Sequence, residues 1–310
     1  MNSLILCDTH SDTASVCLDK GLSLFKNTLH CDFKKMKKYR HFTAFLASFS
    51  SPDTTKNPYK RCKDVLNFTI SECEKHNDIV YICKSLSDIK KAYDKNKLSI
   101  FLSIEGGEAI NSLSQLKEFY DIGVRMITLT WNYENLLGGG VLGDGRGLSD
   151  FGKDIFLNMQ RLGIIADLSH ANIKTYYDAL EISTKPIILS HSNSYSICKN
   201  KRNITDQQFL DLIDNGGVIG INLYPEFLSD KKTAKISDVI LHIEHFLSLG
   251  GENNICIGTD FDGITSLPTG ILGVEDLYKI FDELSRLGIS NEIIQKIAYK
   301  NIYRLLSICL

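Results

Sequence analysis

The chain has 310 residues, enough to bury about three quarters of its unfolded surface, so its core needs no disulfide staples. Hydrophobic residues at 43% and charged residues at 23% are those of an ordinary soluble globular protein. A net charge of −2 removes the electrostatic case for nucleic acid or an acidic membrane, which would call for a basic face.

Nine cysteines form no C-x-x-C pair, and Cys7, Cys83 and Cys256 fall in or beside apolar runs, where cysteine behaves as a small hydrophobe. A reducing compartment follows, and with it a cytoplasmic location. The four-residue apolar stretch before Asp8 is too short for a signal-peptide core. No run approaches the ~18 apolar residues of a membrane span. The segment Ile302–Leu310 lacks the pattern exchanged for a lipid anchor, so no membrane anchor is expected.

In chain order, Leu4–Cys7 reads as a buried strand running into Asp8-Thr9-His10-Ser11-Asp12. Phe42–Phe49 is a second strand, broken by Ser51-Pro52-Asp53. A helix is expected from Pro58 to about Asn77 and a shorter one over Ser87–Lys95, leading to a strand at Leu98–Ile104. Ser114–Ile122 is a helix that Gly123 ends in the left-handed conformation, and Val124–Thr130 is a strand. The glycines from Gly138 to Gly147 follow in a long mobile loop, read as a flexible lid. It matches neither a phosphate cradle nor a dinucleotide fingerprint.

Helices are then expected at Phe151–Leu162, Ile173–Ile182, Thr205–Asn215, Ser237–Leu249, Val274–Leu287 and Asn291–Leu306. Thr205 and Gln208 form a capping box. Strands at Ile164–Leu168, Ile187–Leu189, Val218–Leu223 and Ile255–Ile257 alternate with them. Alternation throughout argues for a parallel sheet, and roughly eight strands favour a closed (β/α)8 TIM-type barrel. No repeat or proline-rich linker divides residues 1–310, so one domain is expected, with an inserted helical segment within Thr54–Asn96.

Five strand endings share one habit. His10 and Asp12, Glu105, His170, His191 and Asp260 each stand just beyond an apolar run. In extended backbone, residues i and i+2 point to the same side, so His10 and Asp12 converge. In a barrel, the carboxyl ends of the strands build the active site. A lone histidine is more often a hydrogen-bonded core residue, but the same position recurring five times points to one site. Two divalent ions sharing a carboxylate activate a water between them, and Glu105 suits the shared position, with His10 and Asp12 on one side and His170 and His191 on the other. Asp260 and Asp262 stay unranked on these grounds. His242-Ile243-Glu244-His245 lacks the H-E-x-x-H spacing, and its histidines are expected on the solvent side.

Over nearly its whole length the chain resembles the renal (membrane) dipeptidases, zinc peptidases on amidohydrolase-like barrels. The resemblance rests on Ile104-Glu105-Gly106-Gly107 continuing through Gly123-Val124-Arg125 to Leu129-Thr130. It rests also on His10-Ser11-Asp12, Asp167-Leu168-Ser169-His170, Ser190-His191-Ser192, Lys201-Arg202-Asn203 and Gly258-Thr259-Asp260-Phe261-Asp262-Gly263, all in order.

By that resemblance two Zn2+ ions are implied, one held by His10, Asp12 and Glu105 and the other by Glu105, His170 and His191. Asp260 would shuttle a proton to the leaving amine, with Glu105 as the catalytic bridge, and Arg202 would take the C-terminal carboxylate of a small dipeptide. Without the resemblance, Arg202 reads as a surface arginine. A homodimer is implied in the same way. Trp131 stands where animal members carry a histidine that contacts the scissile group, and it could form an aromatic wall for substrate. The alternatives are another amidohydrolase-type barrel, many of which bridge the metals with lysine, and a catalytically silent barrel that binds metal or peptide.

Overall fold

The computed structural model describes residues 4–50, 55–231 and 233–310. Among them nine strands run parallel: β1 (Ile5–Ser11), β2 (His41–Phe49), β3 (Val80–Ile82), β4 (Leu98–Glu105), β5 (Val124–Thr128), β6 (Ile165–Asp167), β7 (Ile188–Ser192), β8 (Val218–Ile221) and β9 (Ile255–Ile257). Hydrogen bonding runs in the order β2-β1-β9-β8-β7-β6-β5-β4, and β4 pairs back onto β2 from Thr43↔Ser99 to Phe49↔Glu105. Eight strands thus close into the expected barrel, which leaves no free edge among them.

The ninth strand, β3, lies outside the ring. It pairs with the start of β4, Val80↔Leu98 to Ile82↔Ile100, while β5 takes the same edge from Leu102 onward. The insertion between β2 and β4 is therefore helix, strand, helix. Three residues are too few to show a strand period, which is why Val80–Ile82 escapes a reading of the sequence. The Ser51-Pro52-Asp53 break lies outside the described residues.

Helices surround the barrel. The first two, α1 (Thr13–Lys20) and α2 (Phe33–Met36), follow β1, and the insertion holds α3 (Pro58–Lys75) and α4 (Leu86–Asp94). Then come α5 (Leu113–Ile122), α6 (Asp150–Leu162), α7 (Ile173–Ile182), α8 (Asp206–Asp214), α9 (Pro225–Leu228), α10 (Ile236–Ser248), α11 (Tyr278–Arg286), α12 (Asn291–Gln295) and α13 (Asn301–Cys309). Local chemistry sets their ends. Ser149 caps α6 through the Gly152 amide, and Gly163 closes it at φ 81°. Both bonds of the Thr205–Gln208 capping box are made. The expected single helix to Leu306 is interrupted by a widened turn at Lys296–Lys300, between α12 and α13.

The barrel interior is layered. Cys7, Phe45, Phe101, Met126, Ile165, Ile188, Val218 and Cys256, one from each ring strand, form an apolar cluster with Ile302, Leu305, Leu306 and Cys309 of α13. Two residues further along each strand, on the same face, stand Thr9, Ala47, Ser103, Thr128, Asp167, Ser190, Gly220 and Gly258, all buried. The small size of this layer is imposed: a Cβ on Gly258 would lie 1.7 Å from the Ser190 carbonyl oxygen. Thr9 Oγ1 donates across the barrel to that oxygen at 2.6 Å. No helix among the described residues is long and apolar enough to cross a membrane.

Candidate metal centre

Above the small-residue layer the strand ends bring five of the singled-out side chains together. Glu105, the last residue of β4, lies between two groups. Its Oε2 is 3.5 Å from His10 Nε2, and its Oε1 is 3.0 Å from His170 Nε2 and 3.6 Å from His191 Nε2. Asp12 Oδ2 is 3.5 Å from His10 Nε2. All five residues are buried. Three overlapping triads have donor atoms close enough to hold one ion: His10, Asp12 and Glu105; Glu105, His170 and His191; and His10, His191 and Asp260. The last places Asp260 within ligand reach as well.

Hydrogen bonding orients the imidazoles. His170 Nδ1 meets Asn132 Oδ1 at 2.7 Å, and His191 Nδ1 meets Ser190 Oγ at 2.7 Å. Their Nε2 atoms then face each other at 2.8 Å. With Nδ1 used elsewhere, two neutral rings would oppose lone pairs there, and a shared cation turns that approach favourable. Asp12 Oδ1 and both His10 nitrogens are buried with no hydrogen-bond partner among the described residues. These donors, imidazole and carboxylate on a common centre, suit zinc and similar divalent ions.

Burial and mutual charge perturb the ionisable groups of this cluster. Burial raises Asp12 to about 8, reinforced by the neighbouring Glu105. Burial pulls His10 down, but Glu105 and Asp12 outweigh it and hold the imidazole well above its usual range. Burial pushes His170 down to about 4, with the Arg202 charge adding to it. His191 is held well below its usual value by burial and by His10. Burial lifts Asp260 to about 6, with Glu105 adding and His10 and Asn222 opposing.

Asp260 and Arg202 stand on the wall of a cavity of ≈ 400 Å³ that also contains Asp12, Glu105, His170, Trp131, Phe49, Tyr224 and Phe227. Asn222 Nδ2 donates to Asp260 Oδ2 at 2.9 Å. Asp260 itself has φ 61°, a conformation rare outside glycine that aims its carboxylate inward. Arg202 is buried rather than on the surface; it donates to the His191 carbonyl at 3.2 Å and packs 5.4 Å from the Phe227 ring. Trp131 lies 5.4 Å from Phe49 and 6.1 Å from the His170 ring. Asp262 also lines the cavity, but its carboxylate is engaged, accepting from Thr13 Oγ1 and from the His30 amide at 2.9 Å.

A model of the membrane dipeptidases, peptidase family M19, matches residues 1–309. The chain belongs to the membrane dipeptidase family. An uncharacterised dipeptidase of Schizosaccharomyces pombe is 32% identical over 96% of this chain and 79% of its own. The fold is shared with a metallopeptidase of Rhodobacter sphaeroides solved with a phosphinate mimic of the dipeptide L-Ala-D-Ala, at a TM-score of 0.92 and 22% identity over the full length of both chains. The probable dipeptidase PvdM of Pseudomonas aeruginosa superposes at 0.91 with 18% identity, over 99% of this chain and 95% of that one.

Against this dipeptidase frame, four residues next to the site had been given no role from the sequence: Asn132, Asp167, Ser190 and Asn222. Asn132 directly follows Trp131, and Asp167 and Ser190 lie within the quoted motifs, so position was the available signal. Two expectations need correction. His242 is fully buried, its Nδ1 accepting from the Ser194 amide and its Nε2 donating to the Leu228 carbonyl, both at 3.0 Å. A single apolar stripe on α10 misses it because the loops after β7 and β8 cover that helix on a second side. The glycine loop is no free lid. Val141 N donates to the His170 carbonyl at 2.8 Å, and Gly139 N to Thr175 Oγ1 at 3.0 Å. A Cβ on Gly140 would lie 2.2 Å from the Trp131 carbonyl oxygen, so the glycine lets this loop close against the site.

Proposed function

We propose that this membrane dipeptidase family member is a two-zinc dipeptidase, with His10, Asp12 and Glu105 holding one ion and Glu105, His170 and His191 the other. The observation that carries the reading is Glu105, whose two oxygens each address a different set of histidines. When bound, the ions would supply Lewis acidity to the peptide carbonyl and acidity to the attacking water.

The chain's own groups supply the rest. Asp260, on the cavity wall and within reach of the ligand set, is placed to accept a proton from water and return it to the departing amine. Asn222 keeps one carboxylate oxygen of Asp260 engaged, so the other faces the cavity. Arg202 has an unpartnered, buried Nε among the described residues and receives the substrate's C-terminal carboxylate. Phe49 and Trp131 form an aromatic wall for an apolar side chain. The cavity is of a size that suits a small ligand, where such sites span about 300–1,000 Å³. The mimic bound by the Rhodobacter protein supports small dipeptides as substrates, including those with a C-terminal D-residue. The nine cysteines, buried and unpaired, support a reducing and hence cytoplasmic setting.

The test pairs metal analysis with a substrate screen. Two zinc ions per chain and cleavage of L,L- or L,D-dipeptides, with little turnover of tripeptides, are expected. Arg202→Ala should cost about 2 kcal/mol or more, roughly 30-fold in kcat/KM. Amidating the substrate's C-terminus should cost the native protein as much and the variant almost nothing further. A variant that still suffers the full amidation penalty places the carboxylate elsewhere.

A further inference from the structure

The small-residue layer beneath the metal centre holds one ionisable side chain, Asp167 on β6, fully buried and unused by the chemistry above. Its carboxylate is surrounded by donors. Oδ1 accepts from the Ser169 and Ser190 amides, each at 2.9 Å, and Oδ2 accepts from Thr128 Oγ1 and Ser190 Oγ, each at 2.6 Å. Ser190 Oγ is in turn 2.7 Å from His191 Nδ1.

The Ser190 hydroxyl has one proton and three neighbours to choose from: the Asp167 carboxylate at 2.6 Å, the His191 ring nitrogen at 2.7 Å and the Ser169 hydroxyl at 3.3 Å. A charge-assisted bond is roughly twice as strong as a neutral one, so the proton goes to Asp167. Ser190 Oγ is then an acceptor toward His191, which must carry its proton on Nδ1. That leaves the Nε2 lone pair turned toward Glu105 and His170.

We propose that Asp167 is a positioning residue: acting through the Ser190 hydroxyl, it holds His191 in the tautomer whose Nε2 is free to ligate. The consequence for metal rests on the ligand set proposed above; the tautomer itself does not. His170 differs, since its Nδ1 is held by the neutral amide of Asn132 with no relay. Asp167→Asn reverses the chain of donors. The new amide oxygen still takes the two backbone N–H groups, while its NH2 now donates to Ser190 Oγ. The Ser190 proton then turns to His191 Nδ1 at 2.7 Å, the nearer of its two remaining acceptors with Ser169 Oγ at 3.3 Å, which drives the ring proton onto Nε2.

The experiment is nitrogen-15 NMR of the full chain labelled at histidine, after chelation, beside a zinc titration of each variant. In the native protein, His191 should show protonated Nδ1. Asp167→Asn should move the proton to Nε2 and raise one of two zinc dissociation constants by about 10–100-fold, leaving the other within about threefold. Ser190→Ala, which only removes the acceptor, should give mixed tautomers and a smaller rise; it also serves if Asp167→Asn fails to fold. An unchanged tautomer in Ser190→Ala, or in a folded Asp167→Asn, overturns the inference while leaving the dipeptidase reading intact. A tautomer that flips with both zinc constants unmoved supports the positioning role and overturns the ligand set instead.

Discussion

The same eight strands carry an oily end and an ionic end. At their amino ends the interior is Cys7, Phe45, Phe101 and their neighbours, sealed by α13. At their carboxyl ends it is His10, Glu105, His170 and His191, with only a layer of hydroxyls, glycines, an alanine and one carboxylate between. The apolar end is favourable to bury outright, at about 25 cal/mol per Å² removed from water. The ionic end is costly to bury unless its charges find partners. The difference teaches a division of labour: one end stabilises a rigid ring, and the other uses that rigidity to hold groups that would otherwise move apart.

That division can be broken at either end. The largest expected effect is on chemistry. Asp260→Asn should lower kcat by about 10²–10⁴-fold, the range for losing a general acid–base, while the thermal midpoint barely moves. The converse change is Phe101→Ala. Phe101 stacks on Phe45 with ring centroids 4.8 Å apart, and both are fully buried. Truncating it should destabilise the fold by about 3–5 kcal/mol in urea unfolding. Activity per folded molecule should stay within about twofold, since distant sites act independently. A Phe101→Ala protein that loses kcat as Asp260→Asn does would mean that the two ends are not separate.

Much of this was legible because two periods are simple. Strand–helix alternation marks a barrel, and polar residues at strand ends mark its working face, so His10, Asp12, Glu105, His170, His191 and Asp260 could be singled out and are found together. Arg202 was different. It lies on a loop, where nothing in the spacing separates a surface arginine from the buried one observed, and only resemblance singled it out. The three-residue β3 and the eight-residue α1 were hidden by length, since β3 spans less than two strand periods and α1 little more than two helical turns. Asn132, Ser190 and Asn222 were hidden by chemistry, because neutral polar residues are common in loops and their use depends on which ring or carboxylate they meet.

His242 offers the smallest effect and the finest test, because it stands among the same loops as the candidate metal centre yet serves as a strut. It ties α10 to the loop after β7 through the Ser194 amide and to α9 through the Leu228 carbonyl. Only the neutral ring can do both, since a proton on Nδ1 would confront the Ser194 N–H. Burial accordingly lowers His242 to about 4, against about 6.5 in the unfolded chain. The unfolded chain takes up this proton first as pH falls. The stability it contributes is therefore complete above about pH 6.5 and is lost toward pH 4, at about 1.4 kcal/mol per pH unit. His242→Gln removes the titration, so the native-minus-variant stability difference should fall with that slope across the window and be flat above it. Parallel curves for the two proteins would show that His242 titrates in the fold as it does in the unfolded chain, and the strut would have to be built some other way.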